Sequence, residues 1–355
     1  MRNLRPLSLS PRERFNVFSG DNGQGKTNLL EAIFVVATLR SFRTARLADT
    51  VAFGSERATL GARVLKDELV RVYEVELGPG ARKVTLDGKA VRPLARYFGG
   101  FNVVVFTPED LALPRAAPSD RRRFLDRGVF NLRPDYLTTA QDYERVLKTR
   151  NTVLRQAGDD AIDRGRAEDL LTVYDHQLAA LGSRVIAARL AFLDLVQGEL
   201  ATAFSSITRT GLTVAARYVV RSDAVTAEAI VAKLAASRMK DFATRATQVG
   251  PHRDDVVFEL SGREAGTYAS QGQLRAIMLA WKTAELAVLG RAHGDLPILL
   301  LDDVSSELDP QRNEYLFEHL ATLAGQCFIT TTHPGHVLLH QHRADYRIAK
   351  GEILE

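Results

Sequence analysis

Cysteine is almost absent from the chain. The single one, Cys327, sits in the apolar run Cys327-Phe328-Ile329 and has no partner. That excludes a disulfide framework and cysteine-rich zinc sites, and it fits a reducing compartment. Long apolar runs are missing as well: no stretch approaches the roughly 18 residues that span a bilayer. The basic start Met1-Arg2-Asn3-Leu4-Arg5-Pro6 leads into no apolar signal core. Internal repeats and low-complexity segments are also lacking. These absences predict a soluble, cytoplasmic protein with no membrane partner.

What is present is an ordinary globular mixture, 45% apolar and 25% charged over 355 residues, a length that suits about two domains. The net charge of +4 is unevenly spread: residues 1–133 hold 23 Lys and Arg against 14 Asp and Glu, while residues 134–355 hold 24 against 29. A cationic front third suits a polyanion such as nucleic acid or nucleotide phosphate. Genomic base composition alone can also produce an excess of 38 Arg over 9 Lys.

The patterning changes character twice. Residues 58–65, 70–77 and 83–86 read as alternating strands, with Asp87-Gly88 as a hairpin turn. From residue 119 to about 204 the period is helical, through Tyr136, Tyr143, Val146, Arg150 and Leu154, then Leu170, Tyr174, Leu178, Val185 and Phe192. Two long helices thus form a hairpin across a polar connection at residues 157–166. From about Val249 short strands and one amphipathic helix return. The expected organisation is an α/β head in two parts, residues 1–115 and 240–355, interrupted by a helical arm at 116–239.

Phe15-Asn16-Val17-Phe18 is a short apolar strand running into Gly20-Asp21-Asn22-Gly23-Gln24-Gly25-Lys26-Thr27, a complete match to G-x-x-x-x-G-K-[ST]. Glycines let backbone N–H groups turn around phosphate oxygens, Lys26 supplies a point charge at the β and γ phosphates, and the Thr27 hydroxyl can ligate Mg²⁺. The apolar helix that follows aims its N-terminus at the same anion. A chance glycine-rich turn would not be framed by strand and helix in this order.

Downstream, Leu296-Pro297-Ile298-Leu299-Leu300-Leu301 reads as a central parallel strand ending in Asp302-Asp303. A turn or helix cap would explain one of these acids and poorly explains two. In a P-loop NTPase the first acid binds Mg²⁺ and an adjacent acid can polarise the attacking water, roles that fall to Asp302 and Asp303. A second apolar strand leads to Thr331-Thr332-His333, where the histidine is either a γ-phosphate contact or a solvated loop residue. Ser270-Gln271-Gly272-Gln273 precedes another helix. Ser270 is a good N-cap there, and the turn is also a second anion site. One nucleotide seldom needs two such sites in one chain, whereas two chains sharing each nucleotide need both, which selects a dimer.

Taken together these residues resemble the ABC-type ATPases of the SMC class, and more closely the RecF family. The runs that carry the resemblance are residues 20–33, Arg40-Ser41-Phe42-Arg43, Val105-Phe106-Thr107-Pro108-Glu109-Asp110-Leu111, Arg121-Arg122-Arg123-Phe124-Leu125-Asp126, Gly250-Pro251-His252-Arg253-Asp254-Asp255, residues 268–273 and residues 300–309. The resemblance implies an ABC-type P-loop ATPase head with an inserted helical arm, a short antiparallel hairpin in place of long coiled coils. ATP would be held by Gly20, Asn22, Gly23, Gly25, Lys26, Thr27 and Asn28, with Mg²⁺ on Thr27 and Asp302. Ser270, Gln271, Gly272 and Gln273 of a second copy would close the site, with Lys26, Asp302 and Asp303 as the catalytic set. It further implies an ATP-dependent homodimer with weak DNA-stimulated ATPase activity. Such a dimer clamps DNA at single-strand gaps and duplex junctions, and helps RecO and RecR load RecA. An SMC-like ATPase with another DNA partner is the alternative. Against the family pattern, the first strand is truncated at Arg2-Asn3-Leu4, which puts adenine contacts near the N-terminus in question.

For DNA, two arginine clusters stand out: Arg40, Arg43 and Arg46 after the P-loop helix, and Arg121, Arg122 and Arg123 in the first turn of a helix. Three cations there oppose the helix dipole, so the second cluster is either a DNA contact or an internal ion-pair group. A transporter subunit is disfavoured by the absence of a Leu-Ser-Gly-Gly run and by the inserted hairpin. A scaffold with a degenerate site would lack Lys26 or Asp302.

Overall fold

The structure is a computed structural model that describes residues 1–44, 46–66, 68–78, 81–92 and 94–354. The chain divides into two compact units. The first comprises Met1–Ala112, Ser206–Arg209 and Arg275–Glu355; the second comprises Leu113–Ser205 and Thr210–Leu274.

The first unit is built on a six-stranded sheet of β1 (Phe15–Ser19), β6 (Val103–Phe106), β10 (Ile298–Asp302), β11 (Cys327–Thr331), β12 (Arg343–Ala349) and β13 (Glu352–Leu354). Its order is β13-β12-β1-β11-β10-β6, with only β13 antiparallel. β6, β10 and β11 are near-continuous apolar runs, as strands covered on both faces must be. Helix α1 (Lys26–Thr38) lays Leu29, Leu30 and Phe34 on Phe18, Val103, Val105, Leu300 and Phe328. Because β1, β11 and β10 are parallel neighbours, the P-loop after β1 and the two acids after β10 emerge from the same sheet edge, about 10 Å apart at two strand spacings.

A four-stranded antiparallel sheet, β2 (Ala58–Lys66), β3 (Leu69–Gly78), β4 (Ala81–Leu86) and β5 (Lys89–Ala90), packs Tyr73, Val75, Leu77 and Val84 on Val35 and Val36 of α1. Asp87 and Gly88 turn the β4–β5 hairpin with φ of 52° and 74°, the left-handed pair such a turn requires. The unit is completed by α2 (Pro108–Leu111), most of α8 (Gln271–His293) and α9 (Pro310–Leu323).

The second unit holds α3 (Pro118–Leu132), α4 (Tyr136–Gly158), most of α5 (Arg164–Thr208), α6 (Ala227–Thr244), a small sheet of β7 (Val214–Val219), β8 (Asp255–Leu260) and β9 (Arg263–Glu264), and α7 (Ala265–Tyr268). Helices α4 and α5 form the expected hairpin. Its packing includes a buried polar centre, where Arg150 on α4 reaches Asp175 on α5 (2.7 Å) and Asp241 on α6 (2.8 Å). At Gly128 a Cβ would collide with the Phe192 ring, so glycine is what lets α3 close on α5.

The expected boundary at residues 239/240 is corrected by this division. β8 pairs along its whole length with β7, so the chain through Leu274 stays with the arm. The Gly-Pro-His-Arg-Asp-Asp run supplies the polar core of that unit. Arg189 bonds Asp126, Tyr218 and the Pro251 carbonyl, Tyr218 donates to Asp254, and Tyr143 donates to His252 at 2.6 Å.

Candidate functional site

Gly25 takes a left-handed conformation (φ 114°) at the N-cap of α1, which a side chain would resist, and the chain then enters the helix at Lys26. Lys26 is 6% exposed, and its Nζ donates to the carbonyls of Gly20 (2.5 Å) and Asp21 (2.9 Å). Burial lowers its pKa, opposed by the carboxylates of Asp303, Asp302 and Asp21. Thr27 Oγ1 donates to Asp302 Oδ1 at 2.9 Å, and Thr330 Oγ1 on β11 donates to the same oxygen at 2.7 Å. Burial raises the Asp302 pKa; those two hydroxyls work against it, while nearby Glu109 and Asp303 add to it.

Asp303 is held with φ of 50°, its N–H donating to the Thr330 carbonyl at 3.1 Å. Its Oδ1 is buried with no hydrogen-bond partner among the described residues. A buried carboxylate oxygen left open beside a lysine and a hydroxyl–carboxylate pair is poised for something brought in from outside.

These groups surround a cavity of about 350 Å³ lined by Asn22, Gly23, Gly25, Lys26, Thr27 and Asn28 on one side and Asp302 and Asp303 on the other. One hydroxyl and one carboxylate sharing a hydrogen bond form a donor set that fits Mg²⁺, which takes few protein oxygens and completes its shell with water and phosphate. The described residues hold no cluster of three or more His, Cys, Asp or Glu that could bind a metal unaided.

Four cavity residues had no assigned role in the nucleotide site: Phe42, Arg43, Pro108 and Glu109. Arg43, expected on DNA, donates from Nη1 to Asn28 Oδ1 at 2.7 Å. Its segment is tied to α1 by Glu31, which is fully buried and accepts from Arg2 Nη2 (2.9 Å) and Ser41 Oγ (2.5 Å). Glu109 sits on α2, fixed by a capping box between Thr107 and Asp110. Two residues, Thr107 and Pro108, separate Glu109 from the end of the apolar strand β6, so it lacks the strand-end placement that marks Asp302 in the sequence.

Ser270, Gln271, Gly272 and Gln273 lie in the other unit. Ser270 Oγ accepts from Gln273 N (3.2 Å), and Gln273 Oε1 accepts from Ser270 N (2.8 Å), a reciprocal cap on α8. Arg115 holds this turn from behind, donating to the carbonyls of Gly266 (3.1 Å) and Ala269 (2.7 Å). His333 is exposed, caps its own turn through Thr331 and does not line the cavity.

The second arginine cluster separates. Arg121 is 8% exposed and bonds Asp255 twice, at 2.9 and 2.6 Å, which is the internal ion pair of the two readings weighed for this cluster. Arg122 is partly buried, and its Nη1 donates to the Asp254 carbonyl at 2.7 Å. Arg123 is exposed, 3.3 Å from Asp120. Arg40 and Arg46 are exposed.

Comparison with known proteins identifies the assembly. The family model described as the RecF/RecN/SMC N terminal domain matches residues 1–351. A DNA replication and repair protein RecF of Myxococcus xanthus is 42% identical over 93% of this chain and 88% of its own length. That of a Geobacter species is 40% identical over 100% and 97%. A solved structure of the recombination mediator protein RecF with ATP, in the RecFOR pathway, superposes with a TM-score of 0.88 at 30% identity, covering 99% of this chain and 94% of that one. An Smc head bound to the C-winged helix domain of ScpA shares the fold alone, with a TM-score of 0.51 at 13% identity. The chain belongs to the RecF family of DNA replication and repair proteins, an ABC-type ATPase head of the SMC class carrying an inserted helical arm.

Proposed function

We propose that this chain is an ATP-dependent DNA clamp. ATP with Mg²⁺ binds the P-loop cavity, and two copies close over two nucleotides, each lending its Ser270–Gln273 turn to the nucleotide held by the other. The closed pair holds DNA at single-strand gaps, and slow hydrolysis reopens it. That a solved relative acts in the RecFOR pathway supports RecR and RecO as partners, with loading of RecA as the outcome.

The observation that carries this reading is the unpartnered, buried Oδ1 of Asp303 beside Lys26, Thr27 and Asp302. Lys26, now satisfied by two loop carbonyls, exchanges them for the β and γ phosphate oxygens. Thr27 and Asp302 would hold Mg²⁺, which when bound would neutralise charge on those phosphates. Asp303 orients the attacking water and accepts its proton as the water oxygen bonds to the γ-phosphorus and the bond to the β-phosphate oxygen breaks. An aspartate is one methylene shorter than the glutamate used by SMC relatives, so turnover is slow. The reading is tested by the ATP dependence of the chain's mass in solution, with Lys26→Ala as the control that should stay monomeric and release DNA.

For DNA, the exposed Arg40 and Arg46 of the first unit are the favoured contacts. Arg43 serves the nucleotide instead, through its position on the cavity wall.

A further inference from the structure

A loop rich in glycine does not hold its own shape. Gly23 and Gly25 sit at φ of 78° and 114°, and glycine gives up more conformational freedom on ordering than any other residue. Something outside the loop must therefore fix the direction of its peptides, and two segments far apart in sequence do so.

From the N-terminal side, Asn3 Nδ2 donates to the Gly23 carbonyl at 2.8 Å, while Asn3 Oδ1 accepts from Asn28 Nδ2 at 2.5 Å. From the C-terminal side comes the turn between β12 and β13. There Lys350 N donates to Gln24 Oε1 at 2.6 Å, and Gly351 N donates to the Gln24 carbonyl at 2.9 Å. The two segments are joined to each other, since Arg5 N donates to the Gly351 carbonyl at 3.0 Å. A Cβ on Gly351, already at φ 78°, would collide with the Asn3 carbonyl.

We propose that Asn3 and the Lys350-Gly351 turn are positioning residues of the nucleotide site, and that the Asn3 segment and the β12–β13 turn together form a collar that aims the P-loop. This rests on the reading that the loop cradles the phosphates of ATP. In a planar trans peptide, the carbonyl of one residue and the N–H of the next point in opposite directions. Pinning the Gly23 carbonyl on Asn3 therefore turns the Gln24 N–H the other way, and pinning the Gln24 carbonyl on Gly351 does the same for the Gly25 N–H. Both N–H groups are donors that a phosphate-binding loop presents to its anion. The collar touches no phosphate; it sets how many N–H groups a phosphate meets on arrival.

The test titrates the full chain with a fluorescent ATP analogue and measures turnover at saturating ATP. Asn3 is exposed, so its substitution leaves the core intact. Asn3→Ala should weaken ATP binding about fivefold to tenfold, the worth of one hydrogen bond, with turnover at saturation and melting temperature unchanged, and Gln24→Ala should weaken binding by a similar factor. Asn3→Asp keeps size and the acceptor toward Asn28 but loses the donor toward Gly23. It should match Asn3→Ala or fall below it. Wild-type affinity in Asn3→Ala, Asn3→Asp and Gln24→Ala overturns the collar while leaving the ATP site standing. Failure of the wild-type chain to bind the analogue overturns the ATP reading itself.

Discussion

The chemistry narrows to Asp303. Its neighbour Asp302 is committed to Thr27 and Thr330, whereas Asp303 keeps a buried oxygen free of any partner among the described residues. Asp303→Asn keeps the shape and removes the base, so it should bind ATP about as well as wild type and hydrolyse it at least about 100-fold more slowly, read in single-turnover assays. Equal loss of binding would make Asp303 a structural residue instead. His252 gives a second readout. Among the described residues its Nε2 is hydrogen-bonded to a carbonyl, that of Thr247, so it carries the proton, and Nδ1 accepts from Tyr143. Burial pushes its pKa down to about 4, with the cations of Arg253, Arg122 and Arg150 acting in the same direction. The unfolded histidine takes up a proton below about 6.5 and the folded one does not until about 4, so folding stability is whole above that window and is lost as pH falls through it, by on the order of 3 kcal/mol. Urea unfolding of wild type against His252→Gln between those pH values checks this, since the variant should lose the slope. At this scale the sequence was readable where chemistry and spacing coincide, as in Gly20 to Thr27 and Asp302-Asp303. Asn3, Arg43 and Glu109 reach the site only through the fold, and nothing local distinguishes an arginine facing a nucleotide from one facing DNA.

Among elements, strands and helices with a clear period were legible, including β2 to β4 and the α4–α5 hairpin. The destination of β8 was not. A short strand after a glycine turn carries no mark of its partner, and only the pairing with β7 assigns it to the arm. In the proposed dimer the turn from Tyr268 to Gln273 is the element that meets the second copy. Arg115 binds the two carbonyls behind it, and at Gly266 a side chain would strike the Pro114 carbonyl, so the backbone of α7 lies directly on that segment. Arg115→Ala should leave the ATP affinity of the single chain unchanged while weakening ATP-dependent dimerisation about tenfold, measured by sedimentation. Unchanged dimerisation would mean that the cap between Ser270 and Gln273 is sufficient.

For the molecule as a whole, the uneven charge reads differently with the fold in hand. Several of the front-third cations are internal: Arg121 pairs with Asp255, Arg2 with Glu31, and Arg122 bonds a backbone carbonyl. The exposed remainder includes Arg40 and Arg46 in the first unit and Arg123 in the second. A formal charge count cannot separate these groups, because burial and pairing are properties of the fold. The central claim, that nucleotide joins two copies around DNA, is met most directly by measuring solution mass with and without ATP and gapped duplex. The account predicts a chain of 39.2 kDa that doubles on adding ATP, retains gapped duplex in the doubled form, and stays single in Lys26→Ala and Ser270→Ala. A wild-type chain that remains single at saturating ATP, or a Lys26→Ala chain that doubles and holds DNA equally well, would contradict it.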